Sequence, residues 1–233
     1  MLRGYHHARP VLVLPNAWDV ASARTLAALP GCRALATSSA AVARSLGFED
    51  GEGAPAEEMI EAAARIAAAV DVPVTADLER GYGDAPATAR AAWERGLVGM
   101  NLEDSTDAGL APLDEQLQLV RAVRRAVPGL VLNARVDVFL RGAGGVDEAI
   151  ERANAYLDAG ADCVYPILCP PEAVSPLVAG IRGPVNVLAE PSMHAIPELE
   201  RLDVARVTFG SGLAALAYAE AARVAGEALA VAR

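Results

Sequence analysis

The sequence predicts an α/β protein folded as a (β/α)8 TIM barrel, in a single domain spanning residues 1–233. Three observations point there. Eight short apolar runs alternate with eight helical segments, the element count of that fold. The length of 233 residues lies close to the ~250 typical of it. Acidic residues stand at the ends of consecutive strands, where barrel active sites lie.

The expected strands are Val11–Leu14, Ala34–Thr37, Val72–Ala76, Val98–Leu102, Leu130–Ala134, Cys163–Ile167, Val185–Leu188 and Arg206–Phe209. Each is a short apolar run, as parallel strands buried on both faces require. The expected helices are Val20–Ala28, Ala56–Val70, Ala85–Arg95, Leu113–Val127, Val146–Ala159, Pro171–Ala179, Ile196–Leu202 and Gly212–Ala232. Asp147 and Glu148 open one of them at its positive dipole end, and Gly160 closes it. The main rival is an open doubly wound sheet, which would carry a Gly-rich turn after its first strand. That turn here is Pro15-Asn16-Ala17-Trp18-Asp19, which offers no phosphate cradle. The longest connection, Ser45 to Pro55, is acidic and Gly-rich and reads as a functional loop.

Composition excludes several classes. A net charge of −10 leaves no basic stripe for nucleic acid. No apolar run approaches the ~18 residues of a membrane span, and Met1 to Pro10 lacks a signal-peptide centre, so a cytoplasmic protein without membrane contact is expected. Cys32, Cys163 and Cys169 fit neither a disulfide framework nor a zinc knuckle. Cys163 reads as core, and Cys169, after a strand end, is a candidate site-facing thiol. All twenty basic residues are arginine. Without lysine there is no Schiff base and no Walker A motif.

The most informative segment is Ala76-Asp77-Leu78-Glu79-Arg80-Gly81-Tyr82-Gly83. Period-2 geometry puts Asp77 and Glu79 on the same side at the end of the third strand. The fourth strand ends likewise in Glu103-Asp104. Clustered carboxylates are costly unless they hold a cation or act as acids and bases, and hard oxygens with room for water suit Mg2+. The bland alternative is that these acids cap helices or face solvent.

Further strand-end segments accompany these: Leu14 to Asp19, Ala36-Thr37-Ser38-Ser39-Ala40, Ser45 to Glu52, Asn101 to Asp104 and Asn133-Ala134-Arg135-Val136-Asp137-Val138-Phe139-Leu140. In order and spacing they resemble the isocitrate lyase / phosphoenolpyruvate mutase superfamily. That resemblance implies a Mg2+ ion, with Mn2+ as an alternative, and an arginine that together hold a 2-oxo acid or its enolate at the barrel mouth. It implies Asp77 as the direct metal carboxylate, with Glu79 and Glu103 acting mainly through water. Asp50, twelve residues after Ser38, matches an acid orienting that shell. Arg135 matches the arginine on the substrate carboxylate, and Ser38, Ser39 and Ala40 match the segment receiving substrate oxygens. Without the family, Arg135 could equally pair with Asp137 or Glu103, and the serines could cap a helix.

The resemblance fails at the segment after the fourth strand, Glu103 to Pro112. Isocitrate and methylisocitrate lyases carry a Lys-Lys-Cys-Gly-His type motif there, and this segment has no cysteine, lysine or histidine. The lysine and asparagine of phosphonomutases and phosphonopyruvate hydrolases are absent too, and a phosphonate would meet Asp104 and Asp107. The expectation is a Mg2+-dependent lyase breaking a C–C bond of a small 2-oxo or 2-hydroxy (di)carboxylate such as oxaloacetate, with protons supplied by solvent or Tyr82. The alternatives are a P–C bond enzyme and a degenerate member that only binds carboxylate. Family members are commonly tetramers exchanging the last helix, so a homo-oligomer, dimer or tetramer, is expected. The apolar face of Gly212 to Arg233 could serve that exchange or pack on its own barrel.

Eight other residues are weighed. Trp18 could floor the pocket or simply pack, and Tyr82 could line it or pack. Asp19 reads as an N-cap. Glu190, Ser192 and His194 follow the seventh strand, where a lone histidine is more often structural. His6 and His7 precede the first strand, away from the mouth.

Overall fold

A computed structural model describes residues 1–189 and 196–231. The first strand, β1, runs Leu12–Leu14 and resumes as Asn16–Ala17. Pro15 interrupts it because proline has no N–H for the ladder. The first part pairs with the eighth strand and the second with the second, so β1 joins a three-stranded and a six-stranded parallel sheet. The remaining strands are β2 (Leu35–Thr37), β3 (Val74–Asp77), β4 (Gly99–Leu102), β5 (Val131–Val136), β6 (Cys163–Pro166), β7 (Asn186–Leu188) and β8 (Arg206–Thr208). β2 to β6 pair in chain order, and β7 pairs with β8. A parallel bridge between Val164 and Val185 joins β6 to the entry of β7, so both seams close and the expected barrel forms.

Ten helices are described, against the eight expected: α1 (Leu2–Tyr5), α2 (Val20–Ala27), α3 (Ser39–Leu46), α4 (Ala56–Ala68), α5 (Ala85–Glu94), α6 (Leu113–Ala126), α7 (Val146–Ala159), α8 (Pro171–Gly180), α9 (Ile196–Arg201) and α10 (Gly212–Val231). The two additions have clear causes. α3 starts where Ser38 caps it, its Oγ accepting from Ala41 N at 3.4 Å, and stops at Gly47, whose φ of 88° is left-handed. It therefore takes in Ser45 and Leu46, which the sequence assigned to a loop. α1 lies at the N-terminal ends of the strands. Arg3 reaches from it to the Leu130 carbonyl and to Asp162, just before β5 and β6. Leu2 joins Leu12, Leu14, Ala34, Ala36 and Val131 in a buried floor cluster.

Between barrel and helices lie two larger clusters. One sets Leu35, Val74, Met100 and Leu132 against Ile66, Ala89 and Val123. The other sets Val136, Val164, Val187 and Val207 against Ala153, Tyr156 and Leu177. Cys163 is buried, as core packing predicts. α10 differs from the other helices. From Ala215 to Val231 every residue is exposed, including Leu216, Val224 and Leu229, so most of its apolar surface is left uncovered by its own barrel. No described helix is long and apolar enough to cross a membrane.

Candidate active site

The C-terminal strand ends open into two adjoining cavities of about 470 and 260 Å³ that share Asp50, Arg135 and Leu140. Glu79 and Glu103 line the larger lobe, while Asp77, Ser38, Ser39 and Ala40 line the smaller. The structure thus brings eight of the predicted residues to one mouth. It corrects one reason given for them. β3 ends at Asp77, so Glu79 lies beyond the strand, with a left-handed φ of 50°. Period-2 alternation does not place the pair, and they face different lobes. The turn doing so is tight: Gly81 has φ 96°, and a Cβ there would lie 2.3 Å from that of Ala85.

Asp77 sits beside the N-terminus of α3. Its Oδ2 accepts from Ser39 Oγ at 3.3 Å and Ser39 N at 3.5 Å, where the helix dipole favours an anion. Its Oδ1 is buried and makes no hydrogen bond among the described residues. Burial pushes the Asp77 carboxyl above its ordinary range; Arg135 opposes that rise and Asp50 adds to it. Glu79 is buried and accepts from Tyr82 Oη at 2.7 Å and from Glu52 N. Burial raises it as well. Glu103 pairs with Arg135, yet burial still pushes it up to about 9, with Asp77, Asp137 and Glu79 adding repulsion.

Arg135 is buried at the end of β5. Its Nε donates to Asp137 Oδ1 at 2.6 Å and its Nη2 to Asp137 Oδ2 at 2.8 Å. Burial acts to lower its pKa, but the hydrogen bonds to Asp137 and the charge of Glu103 outweigh it and raise it. The ion pairs weighed as the alternative role are therefore both present. They leave N–H donors free on both terminal nitrogens, and the residue lines both lobes.

The donor set bears on a divalent cation. Three carboxyls raised by burial and mutual repulsion resist ionising together unless positive charge enters. Asp77 Oδ1 is a buried acceptor without a donor. Among the described residues no three His, Cys, Asp or Glu side chains converge as a closed ligand cage. The unpartnered Asp77 oxygen and the raised carboxyls fit an ion held by one direct carboxylate with waters, the habit of Mg2+.

Other expectations need correction. Tyr82 lines neither lobe; its hydroxyl is spent on Glu79, and burial and the Glu79 charge raise its pKa. In this structure its hydroxyl supports Glu79. Trp18 lines neither lobe and instead packs beside Val42, Ala43 and Met59, with the Tyr218 ring at 6.1 Å. Cys169 faces a small apolar pocket with Val174 and Leu199, and burial pushes its thiol up to about 11. Asp104 turns away from the mouth: it is fully buried and accepts from Tyr156 Oη at 2.6 Å and Asp137 N at 2.8 Å. Asp19 caps α2, as predicted, accepting from Ser22 N at 2.7 Å. Glu190, Ser192 and His194 lie outside the described residues.

Sequence reasoning missed several lining residues. Asn101 and Tyr165 line the smaller lobe, and strand register could have found both, since Asn101 is level with Asp77 and Tyr165 with Arg135. Arg80, Arg141 and Ser105 line the larger lobe. The segment after β4 is a hairpin, Ser105–Thr106 against Gly109–Leu110, tied down by Ser105 Oγ on Asp137 and Arg141 Nη2 on the Thr106 carbonyl at 2.6 Å.

A family model described as phosphoenolpyruvate phosphomutase matches residues 2–229. An uncharacterized protein, Rv1998c of Mycobacterium tuberculosis (strain ATCC 25618 / H37Rv), is 38% identical over 232 residues, covering 96% of this chain and 89% of that one. The 2-methylisocitrate lyase of Bacillus subtilis (strain 168) is 33% identical over 171 residues, 68% of this chain and 56% of that one. A solved oxaloacetate acetylhydrolase in complex with the product oxalate superposes with a TM-score of 0.84 at 27% identity, covering 94% of this chain and 82% of that one. The barrel, the mouth and these likenesses agree, and the chain belongs to the phosphoenolpyruvate phosphomutase family, within the isocitrate lyase / phosphoenolpyruvate mutase superfamily of lyases and mutases.

Proposed function

We propose that this protein is a Mg2+-dependent lyase that breaks a C–C bond of a small 2-oxo or 2-hydroxy (di)carboxylate such as oxaloacetate. The observation that carries the reading is one pairing at the mouth. Asp77 Oδ1 is a buried carboxylate oxygen without a donor, and Arg135, aligned by Asp137, faces the same lobe with free N–H groups. Mg2+, or Mn2+ in its place, would supply positive charge to the 2-oxo and carboxylate oxygens as an enolate develops. Asp77 would hold the ion, with Glu79 and Glu103 reaching it through water.

Arg135 clamps the substrate carboxylate with its planar fork. Ser38, Ser39 and Ala40, at the start of α3, receive substrate oxygens. Asp50, exposed and shared by both lobes, orients the acid shell. In oxaloacetate the C3–C4 bond breaks, its electron pair moves toward the C2 carbonyl, CO2 leaves, and C3 takes a proton. With Tyr82 engaged on Glu79, solvent at the open mouth delivers that proton. The exposed apolar stretch of α10 suits burial against a second copy, so a homo-oligomer belongs to the same reading.

A P–C bond reaction is the second reading, because Asp104 is buried away from the lobe and does not oppose a phosphonate there. The test is pyruvate release from oxaloacetate by the purified protein, with Mg2+ and with EDTA, corrected for the metal's own background. Protein-dependent, EDTA-sensitive release is expected. Release from phosphonopyruvate but not from oxaloacetate would replace the first reading by the second. Binding of oxalate with Mg2+ and no product from either would mean a carboxylate-binding protein without turnover.

A further inference from the structure

The larger lobe contains two arginines that the reaction above does not use. Arg80 follows Glu79 in the turn after β3, and Arg141 follows Leu140 beyond β5; both line the lobe. Neither forms an ion pair with an acid among the described residues, whereas Arg135 between them has two. Their observed contacts are neutral. Arg80 Nη1 donates to Gln116 Oε1 at 3.1 Å, and Arg141 Nη2 donates to the Thr106 carbonyl at 2.6 Å.

Both are also anchored. Gln116 is fully buried and donates its Nε2 to the Glu103 carbonyl at 2.9 Å, so Arg80 is tied to the segment that carries Glu103. The Arg141 backbone N–H donates to the Asp137 carbonyl at 2.8 Å, so Arg141 is tied to the residue that aligns Arg135. Each guanidinium keeps N–H donors free of protein partners. Two forks with unspent charge, lining a lobe that shares Arg135 with the lobe of Asp77, form a seat for an oxyanion. Asp50, Glu52 and Asp107 share the lobe, which favours a single negative charge over a dianion.

We infer that Arg80 and Arg141 bind a second carboxylate at the far end of the substrate, so that the site selects a 2-oxo or 2-hydroxy dicarboxylate over the monocarboxylate of equal length. This rests on the reading of Asp77 and Arg135 as the holders of the 2-oxo-acid end. The chain has no lysine, so selectivity of this kind falls to arginine forks.

The test is calorimetric binding, with Mg2+ present, of oxalate, 2-oxoglutarate, 2-oxopentanoate and phosphonopyruvate to wild type, Arg141→Gln and the double variant Arg80→Gln/Arg141→Gln. Oxalate probes the 2-oxo-acid end alone. The expected result is 2-oxoglutarate bound about tenfold or more tighter than 2-oxopentanoate, a preference that falls in Arg141→Gln and vanishes in the double variant while oxalate affinity holds. Equal affinity of the two in wild type, or a preference that survives in the double variant, overturns the inference and leaves the oxalate end standing. Tighter arginine-dependent binding of phosphonopyruvate than of 2-oxoglutarate also overturns it, in favour of a phosphonate seat. Failure of oxalate to bind overturns the reading of Asp77 and Arg135 themselves, and this inference with it.

Discussion

Glu103 and Asp104 are neighbours in sequence and face opposite regions of the molecule. Glu103 faces the mouth, and Asp104 enters the wall between barrel and helices. Burial raises the pKa of both. In the wall every demand is met: Asp137 N and Tyr156 Oη donate to Asp104, and Arg152 Nη1 lies 3.3 Å from it. Arg152 in turn donates to Glu148 Oε1 at 2.8 Å and to the Ala111 carbonyl at 3.1 Å. At the mouth the accounting does not close: among the described residues Asp77 Oδ1 has no donor, and of the three raised carboxyls only Glu103 is paired with an arginine. A buried carboxylate whose partners come from the fold is part of the scaffold. One whose partners are missing is waiting for a ligand.

The sharpest way to break this contrast is Asp77→Ala. Under the proposed function it removes Mg2+-dependent turnover by a factor of at least about 10³, the scale of losing a principal electrostatic group. It should leave the melting temperature unchanged or raised, since burial disfavours this carboxylate. Full activity would remove Asp77 from the site. A large fall in melting temperature would make it scaffold, like Asp104.

The converse change, Asp104→Ala, should cost about 3 kcal/mol of stability by leaving Arg152 short of its buried partner. Denaturant unfolding reads it directly. A loss of activity with unchanged stability would put Asp104 at the mouth after all.

How far sequence reading reached follows the same division. Strand ends were legible because parallel strands in a barrel read as apolar runs and their C-terminal ends are where acids collect. That gave Asp77, Glu79 and Glu103, whereas Arg135, Asp50 and Ser38 to Ala40 came only with the family resemblance. Which way each points was not legible. Glu79 owes its direction to a left-handed turn, and Asp104 owes its own to Tyr156 and Arg152, residues distant in sequence that α7 brings across. Helix α3 is missing from the expected elements, although a helix capped by the serines is the alternative there, because its end at Ser45 and Leu46 falls in the connection read as a loop. Arg80 and Arg141 were passed over because each sits in a loop, and only the closed barrel brings them to one cavity.

Arg135→Lys tests the mouth at smaller scale. A lysine keeps the charge but cannot make the double contact with Asp137 or a fork on a carboxylate. Under the proposed function it should raise KM and lower kcat, with kcat/KM down by about 10- to 100-fold. An unchanged kcat/KM would leave Arg135 as nothing more than the partner of Asp137 and Glu103.

The floor offers the gentlest test, since it contains a buried group that should respond to pH in the opposite sense to the mouth. Among the described residues, His6 is buried with neither ring nitrogen hydrogen-bonded, and Arg206, the first residue of β8, is fully buried with no partner for its guanidinium. Burial, and then the Arg206 charge, lower the His6 pKa from 6.5 to about 3. Above pH 6.5 the ring is neutral folded and unfolded, so its contribution is intact. As pH falls below 6.5 the unfolded chain takes up a proton that the folded chain refuses. Stability is therefore lost progressively until the folded group itself titrates near 3, by about 2 kcal/mol at pH 5. The raised carboxyls at the mouth work the other way, since acid protonates them more readily in the folded state and favours folding. The measurement is consequently a difference: unfolding free energy of wild type minus that of His6→Leu, at pH 7 and pH 5. The difference should shift against wild type by about that amount at pH 5. A difference independent of pH would mean that His6 takes up its proton in the folded protein, and that the floor, like the wall, has found a partner for its charge.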